Sequence, residues 1–430
     1  MTSAQIISLS VLVGVVAALI SGRMRAEIVA LSGAAILLIT RTIRPVEVQG
    51  AFASPAIIAL ASLFVIAYAM ELSGLLGLLI RQAIRLCRRL GVAGVWLVIA
   101  FSGVLSAFLN NTPIVVLAAP VIRDAAQSLS LSAKRFLIPL SYVTILGGAC
   151  TLIGTSTNLL VSDMARNAGQ PAFGMFEFTS VALCVAFAGG IYLFLFSNRL
   201  LTKIPEEQSP HLARRADTAT GDDPALFPAD RPFQAIPALA SLAVFVGVVL
   251  IAAMGWAPIA ASAFTGAVFL IVTRMISAED AYKGLRPEIL LLIAGMVVIG
   301  LSLEVTGLAR VVTQLMLDWV RFAGPLPALI LLYGATLFLT EILSNAAVAV
   351  LLTPIAVALA QNLGVSPRPF LVAVMMAASA AFATPFGYQT NVLVYQMGKY
   401  SYMDFVRIGI PLNLLTWVVG IIAISLFFPF

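Results

Sequence analysis

Four polar islands interrupt otherwise apolar sequence: Ser106 to Pro113, Gly154 to Asn158, Thr340 to Asn345 and Thr384 to Asn391. Their side chains are largely amides and hydroxyls, which bind ions without the desolvation penalty of a buried charge. Where a helix breaks in an apolar environment, such residues sit beside freed backbone groups. Helix amino-terminal ends then offer N–H donors to an anion, while exposed carbonyls and side-chain oxygens suit a hard cation such as sodium. The competing explanation is interhelical glue, worth about 0.6 kcal/mol per residue. Recurrence of the islands at matched positions in two halves of the chain favours a binding role.

The acids divide into two kinds. Glu71 and Glu304 each close an apolar run and are expected to be interfacial or structural. Glu341 lies one helical turn before Asn345. An acid there could carry a coupling proton, add charge to a cation site, or face water. The single histidine, His211, falls in a polar stretch, which excludes a histidine relay inside the membrane. The three cysteines (Cys87, Cys150, Cys184) have no metal-ligand spacing. With no Gly-rich phosphate loop and no Ser–His pair, an enzyme has no chemistry to attach to, and no organic cofactor is expected.

The elements that must position these islands follow from composition. Of 430 residues, 61% are hydrophobic and 10% charged, and the mean hydropathy is +1.05. Ordinary soluble domains carry about 45–50% apolar and about 25% charged residues. The solvent for this chain is therefore lipid, and continuous apolar runs near the ~20 residues of a spanning helix make it an all-α polytopic membrane protein. Spans are expected near 4–20, 27–40, 54–72, 136–162, 176–197, 235–254, 258–273, 287–305, 370–398 and 406–428. The stretches 92–122 and 326–360, broken by Asn110 to Pro113 and by Ser344–Asn345, read as re-entrant hairpins.

With both termini outside, only Arg41, Arg44, Arg166, Arg310, Arg321 and Arg368 lie on the outer side, leaving 19 of the 25 basic residues cytoplasmic. The net charge of +6 is thus topological, and no nucleic-acid partner is implied. The Arg81 to Arg89 cluster is assigned to a cytoplasmic surface. No Lys or Arg precedes the first apolar run, which argues against a cleaved signal peptide.

The halves resemble each other. VIAYAMELSG (65–74) matches VIGLSLEVTG (298–307), Thr40-Arg41 matches Thr273-Arg274, and NNTPIVVLAAPV (110–121) matches SNAAVAVLLTPI (344–355). IGTSTNLLV (153–161) matches FGYQTNVLV (386–394), pairing Gly154 with Gly387 and Asn158 with Asn391. Five spans per half, an odd number, invert the second half. The expected organisation is a first repeat over 1–197 with hairpin 92–122 and broken span 136–162, a cytoplasmic linker over 198–233, and a second repeat over 234–430 with hairpin 326–360 and broken span 370–398. Inverted repeats with paired broken segments are the signature of secondary transporters, whose sites lie where the repeats meet.

SAFLNNTP with IGTSTNLLV, and LSNAAVAVLLTP with FGYQTNVLVY, resemble the divalent-anion:sodium symporter family of the ion-transporter superfamily, in its bacterial sulfate or anion permease-like branch. The resemblance implies an inner-membrane homodimer whose subunits work as elevators, carrying an anion with sodium as coupling ion. It implies one sodium site at Ser106, Asn110, Asn111 and the backbone of Gly154. A second falls at Thr340, Leu343 (backbone), Asn345 and the backbone of Gly387. The anion would touch Asn111, Thr112, Ser344 and Asn345, with Thr157, Asn158, Gln389, Thr390 and Asn391 as further contacts. Asn110 and Ala346 replace a Ser and a Thr of the family's hairpin motifs, and Gln389 could restore the lost donor toward a compact oxyanion such as sulfate. Proton-coupled transport, cation/proton antiport and oxyanion export stay open, as does a channel or a non-transporting scaffold.

Overall fold

The computed structural model describes residues 2–21, 23–75, 77–78, 82, 90–201, 233–308, 311 and 324–430. The arginines of the 81–89 cluster, Cys87, His211 and nearly all of the expected linker lie outside the described residues. Among the described residues all regular structure is α-helical, and the helices fall into two runs of nine. The first run is α1 (Ser3–Ser21), α2 (Ala26–Ile39), α3 (Pro45–Phe52), α4 (Pro55–Leu72), α5 (Val92–Ser106), α6 (Asn111–Ser128), α7 (Lys134–Gly148), α8 (Ser156–Asn167) and α9 (Thr179–Leu201). The second is α10 (Ala235–Ala253), α11 (Ile259–Val272), α12 (Ala278–Gly284), α13 (Pro287–Val305), α14 (Pro325–Thr340), α15 (Asn345–Leu363), α16 (Arg368–Ser379), α17 (Gln389–Met397) and α18 (Tyr402–Phe427).

Local sequence sets the boundaries. Asn110, Thr155 and Ser344 each cap the helix that follows, their side chains accepting from Thr112 N, Thr157 N and Ala347 N. Ser54 caps α4, with Pro55 at its first position. The matched pairs Thr40-Arg41 and Thr273-Arg274 end α2 and α11 alike. Each threonine hydroxyl bonds back to a carbonyl four residues earlier, and each arginine takes left-handed backbone, φ 55° and φ 57°. Prolines Pro120 and Pro354 lie inside α6 and α15, each removing a helical donor.

Among the described residues, six helical segments are long and apolar enough to cross a membrane: Pro45–Leu72, Thr179–Leu201, Ala235–Ala253, Pro287–Val305, Asn345–Leu363 and Tyr402–Phe427. Shorter apolar helices accompany them, including α1, α2, α5, α11, α14 and α16. Large apolar side chains on α9, α10 and α18 are exposed, Phe187, Ile236 and Leu426 among them, as expected where lipid is the solvent. The protein is a multi-pass membrane protein. Two details depart from the sequence expectation. The expected linker begins inside α9, which runs on to Leu201, and the short helices α3 and α12 occupy segments expected to be loops.

Helices of both runs interleave in two packed groups. In one, α1–α4 pack with α10–α13, chiefly through α2 with α13 and α4 with α10 and α11. In the other, α5–α9 pack with α14–α18, chiefly through α9 with α18 and α8 with α15, while α5 packs on α7 and α14 on α16 within their own runs. The groups meet at α13 with α15 and at α4 with α8. Within the second group α16 is buried at every position from Pro369 to Ser379. Its largely small and aliphatic side chains allow that, and it positions the loop that follows.

Candidate substrate and ion site

Four breaks carry the polar islands: the turns 107–110 and 341–344 inside the two hairpins, and the segments 149–155 and 380–388 inside the two broken spans. At the first hairpin turn Ser106 Oγ donates to Asn111 Oδ1 at 2.5 Å. Thr151 Oγ1 donates to the Ala107 carbonyl and accepts from Gly154 N at 3.2 Å, tying the hairpin turn to the broken span of the same half.

Two glycines leave room where oxygens converge. A methyl group built on Gly154 would meet the carbonyl oxygens of Gly148, Ala107 (2.7 Å) and Ser106 (2.9 Å). One built on Gly148 would meet Asn111 Oδ1 at 2.7 Å, and Asn111 Nδ2 and the Gly154 carbonyl at 3.2 Å each. A group of neutral oxygens with no side chain between them is what a small hard cation requires.

The second half is built alike but filled differently. Thr340 Oγ1 lies 2.9 Å from Asn345 Oδ1 and 2.6 Å from the Ala378 carbonyl. A Cβ on Gly387 would meet Ala381 Cβ at 2.8 Å, Thr384 Oγ1 at 3.0 Å and the Thr340 carbonyl at 3.5 Å. Asn345 is 8% exposed, and its amide nitrogen has no partner among the described residues. Leu343 is buried in the turn ahead of α15.

The remaining candidates separate by what they touch. Asn158 and Asn391 are fully buried staples. Asn158 Nδ2 donates to the carbonyls of Ala149 (3.3 Å) and Thr151 (2.9 Å), and Asn391 Nδ2 to those of Ala381 (2.8 Å) and Thr384 (3.2 Å). Thr157 and Thr390 are buried, the latter against Ser141 Oγ at 2.8 Å. Facing outward are Thr112 and Ser344, half-buried at the starts of α6 and α15, and the exposed Gln389 at the start of α17. Thr112 Oγ1 donates to Gln389 Oε1 at 3.2 Å, joining residues 277 apart in the chain. Glu71 and Glu304 stand next to last in α4 and α13, as the sequence places them.

Sequence reasoning missed three contributors. Tyr388 Oη accepts from Asn111 Nδ2 at 2.8 Å, Ser141 Oγ reaches Asn391 Oδ1 at 2.7 Å, and Asn413 Nδ2 donates to Glu341 Oε1 at 2.7 Å. Ser141 and Asn413 lie outside the four islands, and Tyr388, inside the last of them, pairs with Thr155 in the first half. A cavity of about 360 Å³ lies elsewhere, between α8, residues 172–175 and the corner joining α10 to α11. It is walled mainly by apolar groups and by the Asp163–Arg166 ion pair, 2.9 Å long.

A membrane-embedded helical bundle whose neutral polar groups converge at helix breaks is the construction of a transporter. The chain belongs to the citrate transporter (CitMHS) family, whose profile matches residues 16–366. It is 23% identical to the sodium-dependent dicarboxylate transporter SdcS of Staphylococcus saprophyticus, over 92% of this chain and 80% of that one. It is 34% identical to sodium/sulfate cotransporter 1 of Chlamydomonas reinhardtii, over 36% of this chain and 18% of that one. In fold it is similar to the YdaH transporter of Alcanivorax borkumensis, with a TM-score of 0.61 at 15% identity, covering 88% of this chain and 86% of that one. It is a transporter of the divalent-anion/sodium symporter type, a family of transporters and not of enzymes.

Proposed function

We propose that the chain imports sulfate, or a small dicarboxylate, together with sodium. The observation that carries this is the convergence of carbonyl and amide oxygens around Gly148 and Gly154, beside Asn111 at the capped amino-terminal end of α6. The oxygens would hold the cation. The helix ends, Thr112, Ser344 and the unpartnered amide of Asn345 would hold the anion. Dicarboxylate and sulfate relatives that carry sodium in their names support the same pairing. Gln389, exposed beside Thr112, favours the compact tetrahedral oxyanion.

The two groups of helices would be the static and moving parts: α1–α4 with α10–α13 as scaffold, α5–α9 with α14–α18 as the travelling unit. The halves would be inverted repeats joined by a cytoplasmic linker, in an inner-membrane homodimer with both termini outside. Uptake of labelled sulfate into proteoliposomes, with and without an inward sodium gradient and challenged by unlabelled anions, tests the proposal. The expected result is saturable, sodium-dependent uptake blocked by excess sulfate or succinate. Uptake driven only by a proton gradient would move the assignment to proton-coupled transport, and failure of uptake under either gradient to antiport or export.

A further inference from the structure

Glu341 ends α14, and its carboxylate is fully engaged. Oε1 accepts from Phe382 N (2.8 Å), Ala383 N (2.7 Å) and Asn413 Nδ2 (2.7 Å), and Oε2 accepts from Thr384 Oγ1 (2.9 Å). The Thr384 hydroxyl also lies 3.2 Å from the Glu341 carbonyl. One side chain on the hairpin turn thus gathers three consecutive residues of the second broken span and one residue of α18.

Other elements clamp the same backbone. Tyr142, on α7, donates its hydroxyl to the Phe382 carbonyl. Gly409, one turn before Asn413 on α18, lies so close to that carbonyl that a Cβ would strike it. Because Thr384 Oγ1 is 3.0 Å from the Cβ position of Gly387, the clamped turn borders the second cation position directly.

The first half lacks this device. The counterpart of Glu341 is Ala107, and the counterpart of Thr384 is Thr151, whose hydroxyl bonds the Ala107 carbonyl. The hydroxyl–carbonyl tie therefore recurs in both halves, and the carboxylate is added in the second alone. An acid recruited for proton transfer has no need of two backbone N–H partners. A residue that fixes a backbone turn does.

We propose that Glu341 is a positioning residue: a latch that fixes residues 382–384 to the hairpin turn and to α18, and so shapes the second cation site without carrying a proton or binding the ion. The proposal makes the two cation sites unequal, one held by a hydroxyl tie and one by a four-armed carboxylate.

Glutamine can do most of this work. Its carbonyl oxygen can take the three Oε1 donors, and its NH2 can donate to the Thr384 hydroxyl. The test compares Glu341→Gln, Glu341→Ala and Asn413→Ala by hydrogen exchange at the Phe382 and Ala383 amides and by sodium-dependent sulfate uptake across pH. Glu341→Gln is expected to keep wild-type exchange, a wild-type pH profile, and a half-saturating sodium concentration within about threefold of the parent. Glu341→Ala should speed exchange and raise half-saturating sodium by about tenfold or more. If that variant does not accumulate, Asn413→Ala removes a single arm and should speed the same two amides by about threefold.

The uptake arm rests on the sodium-coupled proposal above; the exchange arm does not. A parent protein without sodium dependence would defeat that proposal while leaving exchange to decide the latch. Unchanged exchange in both Glu341→Ala and Asn413→Ala would overturn the latch. So would a Glu341→Gln variant as impaired as Glu341→Ala with its pH dependence abolished, the mark of a proton carrier.

Discussion

At the residue scale, a single hydrogen atom decides whether the proposed first cation position is open. Gly154 is surrounded by the carbonyls of Ser106, Ala107 and Gly148, which are backbone groups of turns and cannot swing aside. Gly154→Ala should therefore act as overpacking, about 1–3 kcal/mol if the fold holds, with its methyl displacing the ion. Sodium-dependent uptake is expected to fall to background while Gly190→Ala, where a Cβ meets nothing within 4 Å, stays at the parental level. Comparable uptake by the two variants, at equal expression, contradicts the placement of the site. Gln389 makes a second prediction at this scale. Losing a hydrogen bond to a charged ligand costs about 1.5–3 kcal/mol, so Gln389→Ala should weaken sulfate binding by about tenfold or more. Sulfate binding that survives undiminished removes Gln389 from the anion site.

At the scale of elements, the breaks are held open by asparagines that face inward. Asn391 makes two donated bonds and accepts a third from Ser141, whereas Asn158 makes two donated bonds and its oxygen is left without a partner. Truncating either orphans buried carbonyls, at about 1–3 kcal/mol for each group left unsatisfied. Thermal unfolding in detergent should show Asn391→Ala less stable than Asn158→Ala, and both less stable than the parent. The reverse order would show that the Ser141 contact contributes nothing.

These staples were legible in the sequence as matched asparagines, but their direction was not. Composition says only that an amide is buried. Whether it points at its own loop or at a ligand depends on which carbonyls the turn presents. The helix breaks and matched helix ends were legible because Asn, Gly and Pro interrupt long apolar runs at offsets of 233 or 234 residues. Helices α3 and α12 were hidden by their eight- and seven-residue lengths, though Pro45 after Arg44 with Glu47, and Ser277 before Asp280, are start signals. Asn413 and Ser141 were hidden because each lies outside the matched islands and is joined to its partner across 72 or 250 residues.

At the scale of the whole molecule, helices of the two halves interleave in both packed groups, so the core of each group is shared between the halves. The polar breaks lie inside the group built from α5–α9 and α14–α18, and that group touches the other chiefly through α13 with α15 and α4 with α8. A limited interface between a site-bearing unit and its neighbour is the geometry that alternating access requires.

The most direct test is the initial rate of sulfate uptake as a function of sodium concentration, in proteoliposomes of the parent and of Asn345→Ala. In the proposed site Asn345 would join the two roles, with its oxygen beside Thr340 and its amide nitrogen without a partner among the described residues. The account predicts a saturable sodium dependence in the parent and loss of uptake in the variant at every sodium concentration. Uptake by the parent that ignores sodium, or an Asn345→Ala variant indistinguishable from it, would contradict the account.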